Sequence, residues 1–183
     1  MVFSGPAGTG KDTVLECFAA KKMKGVWKSV SYTTRQPREN EKDGVDYHFI
    51  TSEEFERLIK DGAMLEYAKY GLNYYGTPKA PVDEHLKNGD TVILKIEVQG
   101  ARQIKALYPD AVGVFVLPPS LEVLEKRLRG RGSETDEDVI RRLSIAKKEL
   151  EYSVNYEYRI VNDDLDDAVN DLYSIVRSLQ LKQ

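Results

Sequence analysis

The sequence predicts an α/β chain: a parallel sheet in three layers, interrupted by an inserted lobe. Three observations carry this. Thr91–Ile96 and Val112–Leu117 are nearly continuous apolar runs, as expected of strands buried on both faces. Stretches with apolar residues at helical spacing follow them, and alternating strands and helices imply a parallel sheet covered on both sides. Between about residues 32 and 78 the rhythm breaks into short alternating runs and turn residues, which reads as a separate lobe.

The elements follow in order. Val2-Phe3-Ser4 is a short strand running into a glycine-rich loop, and Val14, Cys17 and Phe18 mark one face of the next helix. Residues 26–32 read as one strand. Pro37, Asn40 and Gly44 break the chain after it. Thr51-Ser52-Glu53-Glu54 is a capping box that opens a helix through Phe55, Leu58 and Ile59, closing at Gly62. Residues 64–70 and 74–77 form a hairpin around Gly71-Leu72-Asn73, with Tyr74 and Tyr75 pointing opposite ways. Residues 91–96 are a strand interrupted by Lys95, with a helix from about 99 to 107. After the strand at 112–117, Leu121, Leu124 and Leu128 mark a helix, and 129–135 is a charged, glycine-rich loop. Val139, Leu143, Ala146 and Leu150 stripe the next helix. Residues 158–161 are a strand, and Leu165, Ala168, Leu172, Val176 and Leu179 stripe the last helix. The acids at 163, 164, 166, 167 and 171 suit a helix start.

Composition narrows the function classes. The 183 residues carry 27 Lys+Arg against 30 Asp+Glu, a net charge of -3. Length favours one domain, and mild acidity argues against a nucleic-acid partner. No apolar run is long enough to span a bilayer, so no membrane partner is expected. No charged-then-apolar leader stands at the start, so export is not expected. A single Cys17 cannot form an internal disulfide, which suits a reducing cytoplasm. A small anionic substrate needs only a local basic pocket.

Gly5-Pro6-Ala7-Gly8-Thr9-Gly10-Lys11 matches the phosphate-loop pattern. Glycines let successive backbone N–H groups turn inward around an anion, the lysine adds a point charge, and the helix start adds its dipole. Such a loop serves GTPases, ATPase motors and small-molecule kinases. The guanine-reading Asn-Lys-x-Asp run of GTPases is missing, and motors are usually larger. A small chain with an inserted lobe rich in Arg and Tyr fits a kinase of a phosphorylated small molecule.

Further segments are more specific. Ser31-Tyr32-Thr33-Thr34-Arg35-Gln36-Pro37-Arg38, Gly44-Val45-Asp46-Tyr47-His48-Phe49, Glu66, Asn73-Tyr74-Tyr75-Gly76-Thr77, Ile96-Glu97-Val98-Gln99-Gly100-Ala101, Pro118-Pro119-Ser120, Gly130-Arg131-Gly132 and Val161-Asn162-Asp163 resemble, in order and over nearly the whole chain, the signature segments of guanylate kinases. The resemblance implies the phosphate-loop kinase fold, with a GMP-binding lobe at 32–78, a lid at 129–149, and a core from 1–31, 79–128 and 150–183. It implies transfer of a phosphoryl group from ATP to GMP, with Mg²⁺, in the cytoplasm. It assigns guanine recognition to Glu66, Ser31 and Thr77, and the GMP phosphate to Arg35, Arg38, Tyr47 and Tyr75. Glu97 approaches GMP and the metal region. The ATP phosphates fall to residues 5–13 together with Arg127, Arg131 and Arg142, and Asn162 lies near the adenine. The lobe and lid are expected to swing inward over the nucleotides.

A carboxylate accepts from both N1–H and the 2-amino group of guanine, and adenine lacks those donors. Without its neighbours Glu66 would read as an exposed strand acid.

Two positions depart from the pattern. Asp12 stands where Ser or Thr normally ligates Mg²⁺, with Thr13 one place later as the candidate ligand. Lys95 stands where the family usually carries an acid. Two readings stand: the changes compensate, with Lys95 near Asp12 as an ion pair or through water, or both side chains are independently solvated. Cys17 is expected to be a core thiol, Trp27 a packing residue, and His48 and His85 structural or solvent-facing. The rival readings are a non-catalytic guanylate-kinase-like protein-binding module and a kinase of another phosphorylated small molecule, such as a ribose bisphosphate.

Overall fold

The computed structural model describes residues 1–130 and 135–181. Its elements are β1 (Val2–Ser4), α1 (Lys11–Ala20), β2 (Val26–Lys28), β3 (Tyr32–Thr33), β4 (His48–Phe49), α2 (Ser52–Lys60), β5 (Met64–Tyr70), β6 (Asn73–Pro78), α3 (Lys79–Lys87), β7 (Thr91–Lys95), α4 (Val98–Leu107), β8 (Gly113–Leu117), α5 (Leu121–Arg129), α6 (Asp136–Tyr152), a 3-10 turn (Ser153–Asn155), β9 (Tyr158–Val161) and α7 (Leu165–Gln180). The larger sheet runs β2-β7-β1-β8-β9 and the smaller β4-β3-β6-β5. The predicted α/β class with a parallel sheet is what the chain adopts. Place in the sheet explains burial. The first four residues of β7 and of β8 are buried, whereas edge strand β9 buries only Ile160. No helix among the described residues is long and apolar enough to cross a membrane.

The chain divides into two units. The first comprises Met1–Val2 and Gly25–Ala111. In it β2 pairs parallel with β7, Val26 opposite Thr91. The expected single strand over 26–32 is two strands. Ser29 still donates to the Ile93 carbonyl at 3.0 Å, but β3 joins the smaller sheet, parallel to β4 and antiparallel to β6. Seven residues thus serve two sheets, which apolar periodicity alone does not reveal. The capping box is present: Thr51 Oγ1 accepts from the Glu54 N–H, and Glu54 Oε2 accepts from the Thr51 N–H at 2.9 Å. Tyr74 stacks on Phe55, while Tyr75 meets Tyr47 edge-on, so the two tyrosines do point opposite ways. Helix α3 is an element that the sequence does not announce. Of its nine residues only Val82 is buried, so it has almost no stripe; Pro81 sits in the first turn, where it removes no intrahelical bond.

The second unit comprises Phe3–Lys24 and Val112–Gln183. Here β8 pairs parallel with β9, and α1 packs on α7. Leu124, Leu128, Val139 and Ala146 form a core cluster against which Ala7 and Leu143 pack, so the glycine-rich loop is anchored on α5 and α6. Asp164 caps α7 by accepting from the Asp166 and Asp167 N–H groups, in keeping with the acidic cluster as a helix start. Cys17 is not a core thiol; it is exposed. The buried stripe of α1 is Lys11, Val14, Leu15 and Phe18, and position 17 lies off that face. Trp27 does pack, stacking on His85 with centroids 4.0 Å apart, and His85 Nδ1 lies 2.7 Å from Asp90.

Candidate active site

The second unit holds the phosphate loop. It leaves β1, turns through residues 5–10 and enters α1 at Lys11. The Thr9 hydroxyl donates to the Pro6 carbonyl at 2.9 Å, closing the turn. Gly10 is the residue before the helix, in the left-handed region (φ 83°), where a side chain would also collide with the Asn162 amide. No side chain caps α1 among the described residues, so its first N–H groups and its dipole face the loop. Lys11 is buried, only 8% exposed.

Two of the expected ATP residues act on the loop from behind. Asn162 Nδ2 donates to the Thr9 carbonyl at 2.7 Å. Arg127 Nη2 donates to the Asn162 carbonyl at 3.0 Å, and Nη1 lies 3.5 Å from the Thr9 carbonyl. Arg142 lies on α6, half-buried. Asp12 and Thr13 are exposed on the first turn of α1. Arg131 lies outside the described residues.

The first unit holds a basic, aromatic cluster. Arg35 forks onto both oxygens of Glu41, at 2.9 and 2.8 Å, and the same carboxylate accepts the Arg38 backbone N–H at 2.8 Å. The Arg35 fork, helped by that N–H, holds the Glu41 carboxyl below its ordinary range. The Arg35 guanidinium carbon lies 5.6 Å from the centre of the Tyr47 ring, and Lys95 Nζ lies 5.4 Å from it. Tyr75 meets Tyr47 at 6.0 Å. Arg35, Tyr47 and Tyr75 therefore come together, with Arg38 tied in through its backbone. Ser31 is half-buried at the entrance to β3, its carbonyl accepting from the His48 N–H.

Glu66 lies deeper, 5% exposed. Simple alternation along β5 would put Leu65 and Glu66 on opposite faces, one buried and one exposed. Both are buried, because the ladder to β6 slips by one residue between Met64 and Glu66, a bulge that re-aims the acid. Thr77, directly opposite on β6, donates its hydroxyl proton to Glu66 Oε1 at 2.6 Å. On the other side stands Gly100, where a Cβ would lie 2.9 Å from Glu66 Cδ and nearer still to Oε2. Burial, reinforced by the Glu97 charge, pushes the Glu66 carboxyl up to about 7 against the pull of the Thr77 hydrogen bonds. Sequence reasoning gave no role to Glu41 or Gly100. The one signal for Glu41 was an acid six residues after Arg35 in an arginine-rich loop.

A chain with a parallel sheet, a braced phosphate loop, a cluster of arginine and tyrosine, and a buried acid has the features of a phosphate-loop kinase of a nucleoside monophosphate. The comparisons with known proteins narrow this further. The guanylate kinase family model matches residues 1–179, and the chain belongs to that family. It is 47% identical to the guanylate kinase of Synechocystis over 176 residues, 96% of this chain and 92% of that one. It is 48% identical to the guanylate kinase of Clostridium acetobutylicum, over 96% of this chain and 83% of that one. Among solved structures, the guanylate kinase of Anaplasma phagocytophilum superposes with a TM-score of 0.79 at 33% identity, covering 98% of this chain and 84% of that one.

Proposed function

We propose that the chain catalyses ATP + GMP → ADP + GDP, with ATP on the phosphate loop and GMP in the lobe. The single observation that carries the choice of base is the buried Glu66 carboxylate, held by Thr77 and pressed against a bare glycine. An acid kept there at a desolvation cost has a use when a base donates two hydrogens to it. Guanine does so through N1–H and its 2-amino group. Adenine would leave the carboxylate buried and unpaired, a loss large enough for selectivity of about 10⁴. Ser31 and Thr77 would add hydroxyls beside the base edge, and Glu97 would serve GMP and the metal region.

Arg35, Arg38, Tyr47 and Tyr75 suit the GMP phosphate dianion, two cations and two phenols being a natural complement. Lys11, Arg127, Arg131 and Arg142 serve the ATP phosphates, and Asn162 serves ATP through the loop it braces. Phosphoryl transfer asks for alignment and charge neutralisation rather than a covalent intermediate, so no side chain acts as nucleophile.

The donor set fits a metal carried mainly by the substrate. No group of three metal-ligating His, Cys, Asp or Glu side chains exists among the described residues, whereas the Thr13 hydroxyl stands exposed beside the loop. Mg²⁺ keeps several waters and binds through few protein oxygens plus phosphates, so Thr13 is the proposed protein ligand. A Mg²⁺ ion held there would supply charge neutralisation to the phosphates. The enzyme would work in the cytoplasm, where ATP and GMP are present.

A coupled assay with GMP, AMP and ribose phosphates, with and without Mg²⁺, tests the reading. Turnover is expected with GMP and Mg²⁺ only. Turnover with a ribose phosphate, or none with any acceptor, would overturn it; no turnover is what a non-catalytic binding module would give.

A further inference from the structure

The acid that reads the base stands on an edge strand. β5 has β6 on one side only, and its bulge interrupts the ladder just before Glu66. Edges and bulges are the least restrained parts of a sheet. Discrimination by hydrogen-bond geometry nevertheless needs the carboxylate held to within about 0.5 Å.

Helix α4 supplies a restraint. Gln103 Nε2 donates to the Tyr67 carbonyl at 2.9 Å, and Gln103 Oε1 accepts from the Tyr67 N–H at 3.3 Å. One side-chain amide thereby engages both backbone groups of the residue next to Glu66, as another strand would. In an antiparallel ladder, a residue whose N–H and C=O are both used this way turns them away from its partner strand. Three residues earlier on the same helix face stands Gly100, whose missing Cβ leaves room for the Glu66 carboxylate. The helix thus meets the strand at two successive residues, with an amide on Tyr67 and bare backbone on Glu66. The same contact places Glu66 and fastens the strand that carries it.

We propose that Gln103 is a positioning residue for guanine recognition: its amide fixes the β5 edge at Tyr67 and so, together with Gly100, sets where the Glu66 carboxylate lies. This rests on Glu66 reading the base. Gln103 touches no substrate; it acts through the Tyr67 backbone.

The test compares Gln103→Met, Gln103→Glu, Glu66→Gln and the Gln103→Met/Glu66→Gln double variant in the full chain. Four readouts are taken: KM for GMP, KM for ATP, the GMP-to-AMP ratio of kcat/KM, and the thermal unfolding temperature. Methionine keeps the length of Gln103 without either hydrogen bond. Two lost bonds should raise KM for GMP roughly tenfold and lower the GMP-to-AMP ratio to match, with KM for ATP within about twofold. Gln103→Glu keeps an acceptor for the Tyr67 N–H and should recover part of the loss. In the Glu66→Gln background Gln103→Met should leave the ratio unchanged, because the group it positions is gone. Gln103→Met with parental selectivity beside a Glu66→Gln that has lost it overturns the proposal while leaving the base reading intact. A matched rise in both KM values with a lower unfolding temperature also overturns it, since that is what a merely structural brace would give. Parental selectivity in Glu66→Gln overturns the base reading, and the proposal with it.

Discussion

Thr77 and Glu66 face each other across two strands, and the threonine hydroxyl gives its proton to the glutamate at 2.6 Å. That bond holds one carboxylate oxygen, so the acid is oriented before any nucleotide arrives. Glu66→Gln keeps the size but replaces an acceptor with an amide that repels the guanine donors. Catalytic efficiency with GMP should fall by about 10³-fold or more, with ATP binding barely changed. Equal GMP efficiency in variant and parent would refute the assignment of Glu66.

The same carboxyl sets a pH dependence. Guanine donating to Glu66 would stabilise the ionised form, whereas in the free protein burial holds the proton up to about pH 7. Affinity for GMP should therefore weaken toward tenfold per pH unit below about 7. The GMP phosphate titrates nearby, so Glu66→Gln, which keeps only the phosphate contribution, is the control. Calorimetric titration from pH 5.5 to 8 should show more proton release on binding near neutrality in the parent than in Glu66→Gln, the difference being the share of the carboxyl. Stability moves the other way. A carboxyl raised on folding favours the native state below its unfolded value of 4.5, and that contribution is lost as pH rises through about 7. The parent should lose up to about 3 kcal/mol relative to Glu66→Gln across that window.

Glu41 takes the whole Arg35 fork and the Arg38 N–H, bringing two phosphate-binding candidates to one carboxylate. If that contact preorganises Arg35, Glu41→Ala should raise KM for GMP roughly fivefold to tenfold and leave KM for ATP alone. A lower KM for GMP would instead mark the carboxylate as a competitor of the phosphate.

Asn162→Ala should act on the other nucleotide. It removes a buried 2.7 Å bond to the Thr9 carbonyl and a neighbour of Gly10. The expected cost is about 1–3 kcal/mol of stability with a raised KM for ATP, while KM for GMP stays near the parental value. Denaturant unfolding and steady-state kinetics on one preparation would check both.

Lys95→Asp restores an acid of the family type but places it near the Tyr47 ring, in the cluster with Arg35. GMP efficiency should fall about tenfold. An unchanged value would separate Lys95 from phosphate binding.

Much of this was legible beforehand, for local reasons. A phosphate loop is a contiguous run of residues, and a capping box or an acidic helix start needs only a few neighbours in sequence. What escaped depends on distant partners. Cys17 fell on an apparent stripe, but the core that α1 meets is centred on Lys11, Val14, Leu15 and Phe18. Helix α3 buries one residue, so there was little periodicity to read. The burial of Glu66 needed a bulge, which appears only when β5 is laid against β6. Gly100 and Gln103 matter through a strand more than thirty residues earlier, and no spacing within α4 points to it.

The bond from Asn162 to Thr9 spans 153 positions. A chain emerging from the ribosome displays its phosphate-loop motif long before the strut that steadies the loop is made. Closing so long a span is slow, and it must wait for the last strand of the sheet. Nascent or truncated chains lacking β9 would therefore carry the nucleotide signature without the framework that holds the loop in place. Competence to hold ATP should thus lag well behind synthesis of the motif, waiting until the chain has passed Asn162.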